Sequence, residues 1–426
     1  MDKNYTRWQS DIVQQALLSR RVIILAGARQ CGKTTLAKNL NLPGAIYRTL
    51  DDVTLLESAL SDPHGFVKHD NELMIIDEIQ KASILLQAIK KDVDENQNLG
   101  RFLLTGSANI QSLPGVNESL AGRVRKIRLR PLAQGEIHAT LPNFLQWAFE
   151  QKFPTTYNND TKDSYITLAL GGGYPEPLRI KQMREAHQWY MDYINSIIER
   201  DLKDIINIKR QDGMKELLSV LAAWSSKSMD VSAIASGLSL TRQTITTYIN
   251  ALESLYLIEK LPAWAKTDYD RVNKQDKIFM TDTGLMAAIL NWRFEKVRLD
   301  GDQNGKLLET FVFTQLVSHI EALGFQNEKY NIYHYRDREK HEIDFIIENI
   351  ENKDSDILGV EVKAGSSVSR DSFKHLKWFR DNIAKKKRFV GVVLYTGEQI
   401  ASFGEAMWAI PMNVLWAPNI QRLVRG

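Results

Sequence analysis

The sequence predicts an α/β fold that begins with a parallel sheet covered by helices. Short apolar segments alternate with helical patterns in the first third of the chain, which is typical of strand–helix–strand units. The segments with strand character are Arg21–Ala26, Ala45–Leu50, Glu72–Ile76, Arg101–Thr105 and Val124–Leu129. The chain has 426 residues, of which 43% are hydrophobic and 25% charged, as expected for a globular protein. Its length suggests about three domains.

The composition also excludes several classes of protein. A net charge of +3 is too small to indicate a nucleic-acid-binding protein by itself. Apolar runs such as Val22–Ala28 fall well short of the ~18 residues that a membrane-spanning helix needs, so we expect no membrane partner. The single cysteine, Cys31, cannot form an internal disulfide, and residues 1–18 lack the apolar core of a signal peptide. These features predict a cytoplasmic protein.

A phosphate-binding loop is the clearest motif of the predicted core domain, residues 1–134. Residues 27–34, GARQCGKT, fit the pattern G-x4-G-K-S/T and lie between a predicted strand and a predicted helix. Glycines let the backbone N–H groups face the phosphates, and the helix N-terminus adds a positive dipole. We expect Lys33 to reach the β- and γ-phosphates of ATP and Thr34 to ligate Mg²⁺. The predicted ATP-binding residues are Gly27, Ala28, Arg29, Gln30, Cys31, Gly32, Lys33, Thr34 and Thr35.

Further polar residues lie where the predicted strands end, which is where ligands bind in an open α/β sheet. We expect Asp77 to hold Mg²⁺ through water and Glu78 to polarise the attacking water during ATP hydrolysis. Thr105 and Ser107 end the next strand and either sense the γ-phosphate or simply form the strand end. Arg123 is either an arginine finger, acting in its own subunit or on a neighbouring one, or an ordinary surface arginine.

The pattern changes twice beyond the core domain. Residues 135–213 are mainly helical, are interrupted by the loop Gly171–Pro177 and are interpreted as a lid. Residues 214–300 predict a winged helix followed by a linker, with Thr241 as the N-cap of the second helix. The last predicted domain, residues 301–426, has elements in the order αβββαβ.

Seven motifs occur in an order that resembles one group of prokaryotic AAA+-type ATPases. They are GARQCGKTTL, LDD at Leu50–Asp52, LMIIDEIQK, LLTGSA, LAGRV, GGGYPE and IIERDL at Ile197–Leu202. The resemblance covers nearly the whole chain. It implies a P-loop domain with an ATP site, a helical lid, a winged helix and a C-terminal nuclease-like domain. It implies no cellular task, and it assigns no role to Asp51 or to the cluster Glu199–Asp201.

Charged residues in the last domain form a second candidate site. Asp344 lies on a predicted strand, and Glu361 and Lys363 share one face of the next strand because side chains alternate. With Glu309 on the preceding helix, this order resembles the PD-(D/E)XK, or restriction-endonuclease-like, fold. That fold uses carboxylates to bind Mg²⁺ or Mn²⁺ and a lysine to stabilise phosphate charge, which makes Asp344 and Glu361 candidate ligands of a second metal ion. The alternatives are a charged strand face and a nuclease-like domain that serves only for interaction.

The sequence leaves two functions open. In the first, the nucleotide state of an ATPase controls a nuclease-like domain that acts on DNA or RNA, with Arg242–Ser254 and Lys385–Arg388 as candidate contacts. In the second, the protein is a nucleotide-dependent switch whose C-terminal half binds a protein partner and cleaves nothing. Both functions use ATP and Mg²⁺, and both are compatible with an oligomer.

Overall fold

The computed structural model of the chain describes residues 5–70, 72–106, 122–202, 211–272, 274–324, 329–351, 356–385 and 387–418. Within these ranges the strands are β1 (Val22–Ala26), β2 (Ile46–Thr49), β3 (Met74–Asp77), β4 (Phe102–Gly106), β5 (Val124–Arg128), β6 (Lys227–Ser228), β7 (Ile258–Leu261), β8 (Lys277–Met280), β9 (Tyr330–Arg336), β10 (Glu342–Asn349), β11 (Asp356–Lys363), β12 (Phe389–Tyr395), β13 (Ala401–Ser402) and β14 (Met407–Pro411). The α-helices are α1 (Gln9–Leu17), α2 (Lys33–Asn39), α3 (Val53–Ser61), α4 (Pro63–Val67), α5 (Leu85–Glu95), α6 (Gln134–Ile137), α7 (Phe144–Glu150), α8 (Lys162–Gly171), α9 (Met183–Ser196), α10 (Gln211–Trp224), α11 (Val231–Ala235), α12 (Arg242–Ser254), α13 (Asp268–Val272), α14 (Thr283–Ile289), α15 (Phe294–Leu299), α16 (Gly301–Leu323) and α17 (Lys374–Asn382).

The first sheet is parallel and has the strand order β2–β3–β4–β1–β5. Every residue of β1 is buried, as is usual for a central strand that helices cover on both faces. The register places Ala26 beside Gly106, so the loops that follow β1 and β4 leave the sheet at the same edge. Asp77 ends β3, which pairs with β4. The predicted strands of the core domain are therefore confirmed, and their carboxyl ends form one edge.

The region predicted as a winged helix contains α10, α11 and α12 together with an antiparallel sheet in the order β6–β8–β7, here called the three-stranded sheet. Its first strand, β6, lies between α10 and α11. The Thr241 hydroxyl accepts a hydrogen bond from the backbone N–H of Thr244 at 3.1 Å, which confirms the predicted N-cap of α12. The sequence analysis did not predict the helix Asp268–Val272, which lies between β7 and β8.

The C-terminal sheet has the order β13–β14–β12–β11–β10–β9. Strands β9 to β11 pair antiparallel, whereas β12 pairs parallel with both β11 and β14. The predicted order αβββαβ is present as α16, β9, β10, β11, α17 and β12. The sequence analysis missed β13 and β14. β13 is only two residues long, and so short a strand exists only because it finds a partner in the folded sheet.

The helices of residues 162–196 pack against the second half of the chain. α8 contacts α14, α15 and α16, and α9 contacts α14. Buried side chains of these helices belong to the same apolar core as the first sheet and the C-terminal sheet. The segment predicted as a lid is therefore anchored to the C-terminal half. In the part of the chain that the structure describes, no helix is both long and apolar enough to span a membrane.

A buried arginine joins three parts of the molecule. Arg130 follows β5 and is only 4% exposed. Its guanidinium donates two hydrogen bonds to Glu259 of β7, at 2.7 and 2.9 Å, and two to Glu321 of α16, both at 2.8 Å. Arg128 also pairs with Glu259, at 3.0 Å. We call Arg130, Glu259 and Glu321 the arginine junction, because it connects the first sheet, the three-stranded sheet and the C-terminal domain.

The arginine junction predicts a specific acid sensitivity. Burial disfavours the charged form of Glu259, but Arg128 and Arg130 outweigh it and lower the pKa of Glu259 from 4.5 to about 2. A carboxylate whose pKa is lower in the folded state stabilises the fold above its unfolded pKa and loses that contribution on acidification. We expect a contribution of about 3 kcal/mol that is present above pH 4.5 and lost towards pH 2. Urea unfolding of the wild type and of Glu259→Gln at several pH values measures it, and a stability difference that does not shrink across this window contradicts the prediction.

Candidate functional site

The phosphate-binding loop connects β1 to α2 in a conformation that its glycines permit. Gly27 has φ +157°, and a Cβ atom at this position would lie 2.1 Å from the carbonyl oxygen of Leu129. Gly32 has φ +101°, in the left-handed region, and immediately precedes α2. Both glycines are therefore required by backbone geometry, and the loop ends at a helix N-terminus, as the motif predicts.

Lys33 and Thr34 begin α2 at the carboxyl edge of the sheet. The Lys33 ammonium donates hydrogen bonds to the carbonyl oxygens of Gly27 and Ala28, at 3.1 and 2.8 Å. The Thr34 hydroxyl donates to the carboxylate of Asp77, at 2.9 Å. The structure thus brings the predicted lysine, threonine and aspartate together, and the side-chain oxygens of Thr34 and Asp77 are hard ligands that suit Mg²⁺.

Asp77 accepts two further hydrogen bonds. One comes from the hydroxyl of Thr105 at the end of β4, and the other from the hydroxyl of Tyr47 on β2, at 2.7 Å. Burial, together with the neighbouring Asp77 carboxylate, raises the pKa of Tyr47, so this hydroxyl stays a donor at neutral pH. Sequence analysis missed Tyr47. In the sequence Tyr47 is one residue of a predicted strand, and only the pairing of β2 with β3 places it beside Asp77.

Glu78 follows β3 in a left-handed conformation with φ +60°, which is uncommon for a residue other than glycine. Its carboxylate accepts a hydrogen bond from the side chain of Gln80. Burial raises the pKa of Glu78, and the Lys33 ammonium opposes this effect. The backbone conformation therefore holds a partly buried carboxylate beside the phosphate-binding loop.

A cleft of about 950 Å³ opens over the loop and is large enough for a nucleotide. The predicted residues that line it are Arg29, Gln30, Gly32, Lys33, Thr34, Thr35 and Glu78. Asp51 also lines the cleft and forms an ion pair with Lys81 at 2.6 Å. Residues that sequence analysis missed line the other walls: Tyr5, Thr6, Arg7, Ser10, Glu176, Arg179 and Trp189. Glu176 belongs to the motif GGGYPE, which was the one sequence signal for that wall.

The loop is tied to the helical segment through Arg29. The Arg29 guanidinium donates to Asp201 at 2.9 Å, and the Tyr193 hydroxyl donates to the Arg29 carbonyl oxygen at 3.2 Å. Asp201 belongs to the motif IIERDL, for which the sequence suggested no role, so this motif holds the phosphate-binding loop through Arg29. Asp201 is thus the ion-pair partner of Arg29, which itself lines the cleft.

Arg7 attaches the loop to the arginine junction. Its guanidinium donates to the carbonyl oxygens of Cys31 and Arg130, at 2.7 and 2.6 Å, and to Glu136, at 2.9 Å. The Cys31 side chain is fully buried. A continuous set of hydrogen bonds therefore runs from the loop to Glu259 and Glu321 of the second half of the chain.

One predicted catalytic residue, Arg123, is not brought to the cleft. Arg123 precedes β5, whose first residue pairs with the first residue of β1, so Arg123 lies at the opposite edge of the sheet from the loop that follows β1. There it donates to Asp94 of α5. This geometry does not support a role for Arg123 in its own subunit, while a role on a neighbouring subunit stays a prediction. Ser107 lies outside the residues that the structure describes.

The predicted nuclease-like residues do come together on the C-terminal sheet. The Asp344 carboxylate accepts from the backbone N–H of Val362 at 2.8 Å, between Glu361 and Lys363. Lys363 pairs with Glu361 at 3.2 Å, and Glu309 of α16 lies on the same side. We call Glu309, Glu342, Asp344 and Glu361 the acidic cluster.

A lysine that sequence analysis missed lies within the acidic cluster. The ammonium of Lys277, on β8, is 2.9 Å from Glu342, 3.1 Å from Glu309 and 3.7 Å from Asp344. The Lys277 side chain is 2% exposed. Its only sequence signal was a lysine at the start of an apolar strand, which alternation alone does not distinguish from an exposed residue.

The binding of a second metal ion by Asp344 and Glu361 stays a prediction. In this arrangement the ammonium of Lys277 lies 3.7 Å from Asp344, and the ammonium of Lys363 lies 3.2 Å from Glu361. Among the residues described, no group of three or more His, Cys, Asp or Glu side chains is arranged to hold a metal ion. Burial and the Asp344 charge raise the pKa of Glu309 to about 7 and also raise that of Glu361. One oxygen of Glu361 is buried without a hydrogen-bond partner.

The candidate nucleic-acid contacts are only partly available. Lys387 pairs with Glu348 at 3.3 Å, and Arg388 donates to the carbonyl oxygen of Phe149 at 2.6 Å. Lys386 lies outside the described residues. On α12, Arg242 and Gln243 are exposed. The basic run at residues 385–388 is thus in part a structural contact with the rest of the protein.

Three family models match the chain. Residues 19–138 match a model described as an AAA domain. Residues 162–296 match a domain of unknown function (DUF8612), and residues 304–415 match another domain of unknown function (DUF4143). The second match spans parts of both the predicted lid and the predicted winged helix, so the boundary at residue 213 stays a prediction.

Similar proteins extend over most of the chain. An uncharacterized protein of Mycobacterium bovis and one of Mycobacterium tuberculosis are each 26% identical over 419 residues, which is 97% of this chain and 85% of theirs. A Walker-type ATPase of Pyrococcus abyssi aligns with 66% of this chain and 94% of its own, at 14% identity and a TM-score of 0.40. AMPPCP-bound DnaA from Aquifex aeolicus aligns with 57% of this chain and 86% of its own, at 14% identity and a TM-score of 0.28. The match to an AAA domain over residues 19–138 and the strand–loop–helix geometry of the phosphate-binding loop agree with the AAA+-type P-loop fold that the sequence predicts for this part of the chain.

Proposed function

We propose that this protein binds and hydrolyses ATP in the cleft over the phosphate-binding loop and transmits its nucleotide state to the C-terminal half. The observation that carries the proposal is the convergence of Lys33, Thr34, Asp77 and Glu78 at one edge of a parallel sheet. This is the set that P-loop ATPases require, and it faces a cleft of nucleotide size.

Each residue has a distinct part in the proposed reaction. Lys33 exchanges the loop carbonyl oxygens for the β- and γ-phosphates, because a phosphate is a stronger partner for an ammonium than a carbonyl oxygen is. Thr34 and Asp77 hold Mg²⁺, which neutralises charge on the phosphates when bound. Glu78 orients and polarises the attacking water, and Thr105 keeps the Asp77 carboxylate in place.

The contacts of the loop support transmission to the rest of the chain. Arg29 reaches Asp201, and Arg7 connects Cys31 to the arginine junction. A phosphate in the loop competes with Asp201 for Arg29, so nucleotide binding changes a contact between the core domain and the helical segment. The arginine junction then couples the same loop to the three-stranded sheet and to α16.

We consider two functions for the C-terminal half. In one, the nucleotide state controls a nuclease-like domain that acts on DNA or RNA. In the other, the protein is a switch that binds a protein partner without cleavage. The position of Lys277 in the acidic cluster favours the second. Incubation of the wild type with DNA and RNA, each with Mg²⁺ or Mn²⁺ and with or without ATP, distinguishes them, because cleavage that Asp344→Asn abolishes supports the nuclease.

The ATP site is tested by the variant Lys33→Ala/Asp77→Ala. We expect it to lose ATP hydrolysis and at least ~100-fold in ATP affinity, because both the charge and the metal-binding carboxylate disappear. Isothermal titration with ATP and Mg²⁺ and a phosphate-release assay measure the two effects. Lys91→Ala, which removes an exposed lysine of α5, is the matched control and should retain both properties. Undiminished nucleotide binding by the double variant would place the ATP site elsewhere.

A further inference from the structure

The ammonium of Lys277 is a buried positive charge between two sheets. Lysine is almost never fully buried unless it is paired, because desolvation of an ammonium is costly. Lys277 is buried to 2% exposure, and its three partners are Glu309, Glu342 and Asp344. These partners come from α16 and β10, whereas Lys277 comes from β8, so the pairing joins two separate sheets.

The backbone around Lys277 keeps its ammonium in this position. Lys277 pairs with Ser228 of β6 on one side and with Leu261 of β7 on the other. Such pairing on both sides fixes the face of the strand on which the side chain lies. The side chain of Lys277 therefore lies on the face of β8 that meets the acidic cluster.

The three-stranded sheet is also attached to the C-terminal sheet. The backbone N–H of Trp264 donates to the carbonyl oxygen of His334 at 2.7 Å, and the N–H of His334 donates to Pro262 at 3.0 Å. Phe279 of β8 stacks on Phe313 of α16, with ring centroids 4.1 Å apart. Separation of the three-stranded sheet from α16 and the C-terminal sheet would expose this aromatic contact and break these hydrogen bonds, so more than charge holds the arrangement together.

The ammonium and a divalent cation compete for the same oxygens. A Mg²⁺ or Mn²⁺ ion needs several carboxylate oxygens of this kind around one point, and here three carboxylates surround Nζ instead. A metal ion placed among them would lie next to a positive charge with little intervening solvent, which is strongly unfavourable. The cluster also has a second ammonium, Lys363, paired with Glu361.

We propose that Lys277 is the resident cation of the acidic cluster and that it excludes divalent metal ions from the cluster while β8 is docked. The C-terminal domain is then held to the three-stranded sheet by an internal ion cluster, and it does not act as a metal-dependent nuclease in this arrangement. This inference is independent of the ATP site. Its failure would leave the proposed ATPase function unaffected.

The test is Mn²⁺ binding by the nucleotide-free full-length chain, followed by electron paramagnetic resonance of the free ion. The proteins are the wild type, Asp344→Asn, Lys277→Met and Lys277→Met/Asp344→Asn. Methionine keeps the length and apolar stem of lysine and removes only the charge. We expect no difference in Mn²⁺ binding between the wild type and Asp344→Asn. Lys277→Met should gain a Mn²⁺ site, since the freed carboxylates are hard oxygen ligands. Its affinity for Mn²⁺ should be at least about tenfold higher than that of any Asp344-dependent site in the wild type.

The gained site should disappear again in Lys277→Met/Asp344→Asn, which separates it from Mn²⁺ bound near Asp77. Thermal unfolding gives a second readout, because Mn²⁺ should raise the melting temperature of Lys277→Met more than that of the wild type. A folded Lys277→Met protein without a new Mn²⁺ site overturns the proposal. If that variant does not fold, the wild type and Asp344→Asn decide it: equal Mn²⁺ binding supports the proposal, and a wild-type site that Asp344→Asn removes overturns it.

Discussion

Replacement of Glu78 by glutamine is expected to reduce ATP hydrolysis by about 10²–10⁴-fold and to leave ATP binding intact. Glutamine has nearly the shape of glutamate and can occupy the same left-handed position, but it cannot accept a proton from the attacking water. Lys33, Thr34 and Asp77 are unchanged in this variant, so the phosphates and the metal keep their partners. Steady-state phosphate release and isothermal titration with ATP and Mg²⁺ measure the two properties.

The matched control for Glu78→Gln is Glu72→Gln. Glu72 is exposed and precedes the same strand, β3, at its opposite end. The control should hydrolyse ATP at the wild-type rate. Equal losses in both variants would indicate a general effect of charge on the domain, and wild-type hydrolysis by Glu78→Gln would remove Glu78 from the proposed mechanism.

Replacement of Arg130 by methionine is expected to cost about 3–5 kcal/mol of the free energy of unfolding. The loss is large because the variant leaves Glu259 and Glu321 buried without their shared cation, and a buried unpaired charge is costly. Arg128 retains its contact with Glu259, so most of the lost stability comes from Glu321, which keeps no cation. Urea unfolding at neutral pH, followed by tryptophan fluorescence, measures the effect.

The double variant Arg130→Met/Glu321→Met tests this explanation. It removes the stranded carboxylate together with the guanidinium, so it should be more stable than Arg130→Met alone. Arg380→Met is the surface control. Arg380 pairs with the exposed Asp381, and its loss should cost no more than about 1 kcal/mol. A loss for Arg130→Met no larger than that of Arg380→Met would mean that the junction contributes little to stability.

The part of the fold that depends on local pattern was predictable from the sequence. Apolar runs such as Val22–Ala26 and the glycines of the loop reflect requirements of single strands and turns, and the structure has these elements close to their predicted bounds. The short strand Ala401–Ser402 was not predictable in the same way. Two residues have no periodicity, and a strand of this length is defined by the partner that it meets.

The candidate sites show the same division. Lys33, Thr34, Asp77 and Glu78 were found because a motif of eight residues and an apolar strand encode their positions locally. Tyr47 and Arg7 were missed, since each reaches its partner only after distant segments pack together. Arg123 was predicted to be either an arginine finger or a surface arginine, and the strand register decided which edge of the sheet it occupies.

The sequence by itself determined a phosphate-binding loop at the start of the chain and a carboxylate–lysine set at its end, because residues at short, fixed spacings encode both. Only the tertiary structure decided what surrounds them. Arg130 joins Glu259 and Glu321 across 129 and 191 residues, and Lys277 enters a cluster whose other members lie on different elements. Charge interactions act through space and not along the chain, so the partner of a buried lysine or arginine becomes known only when the sheets are packed.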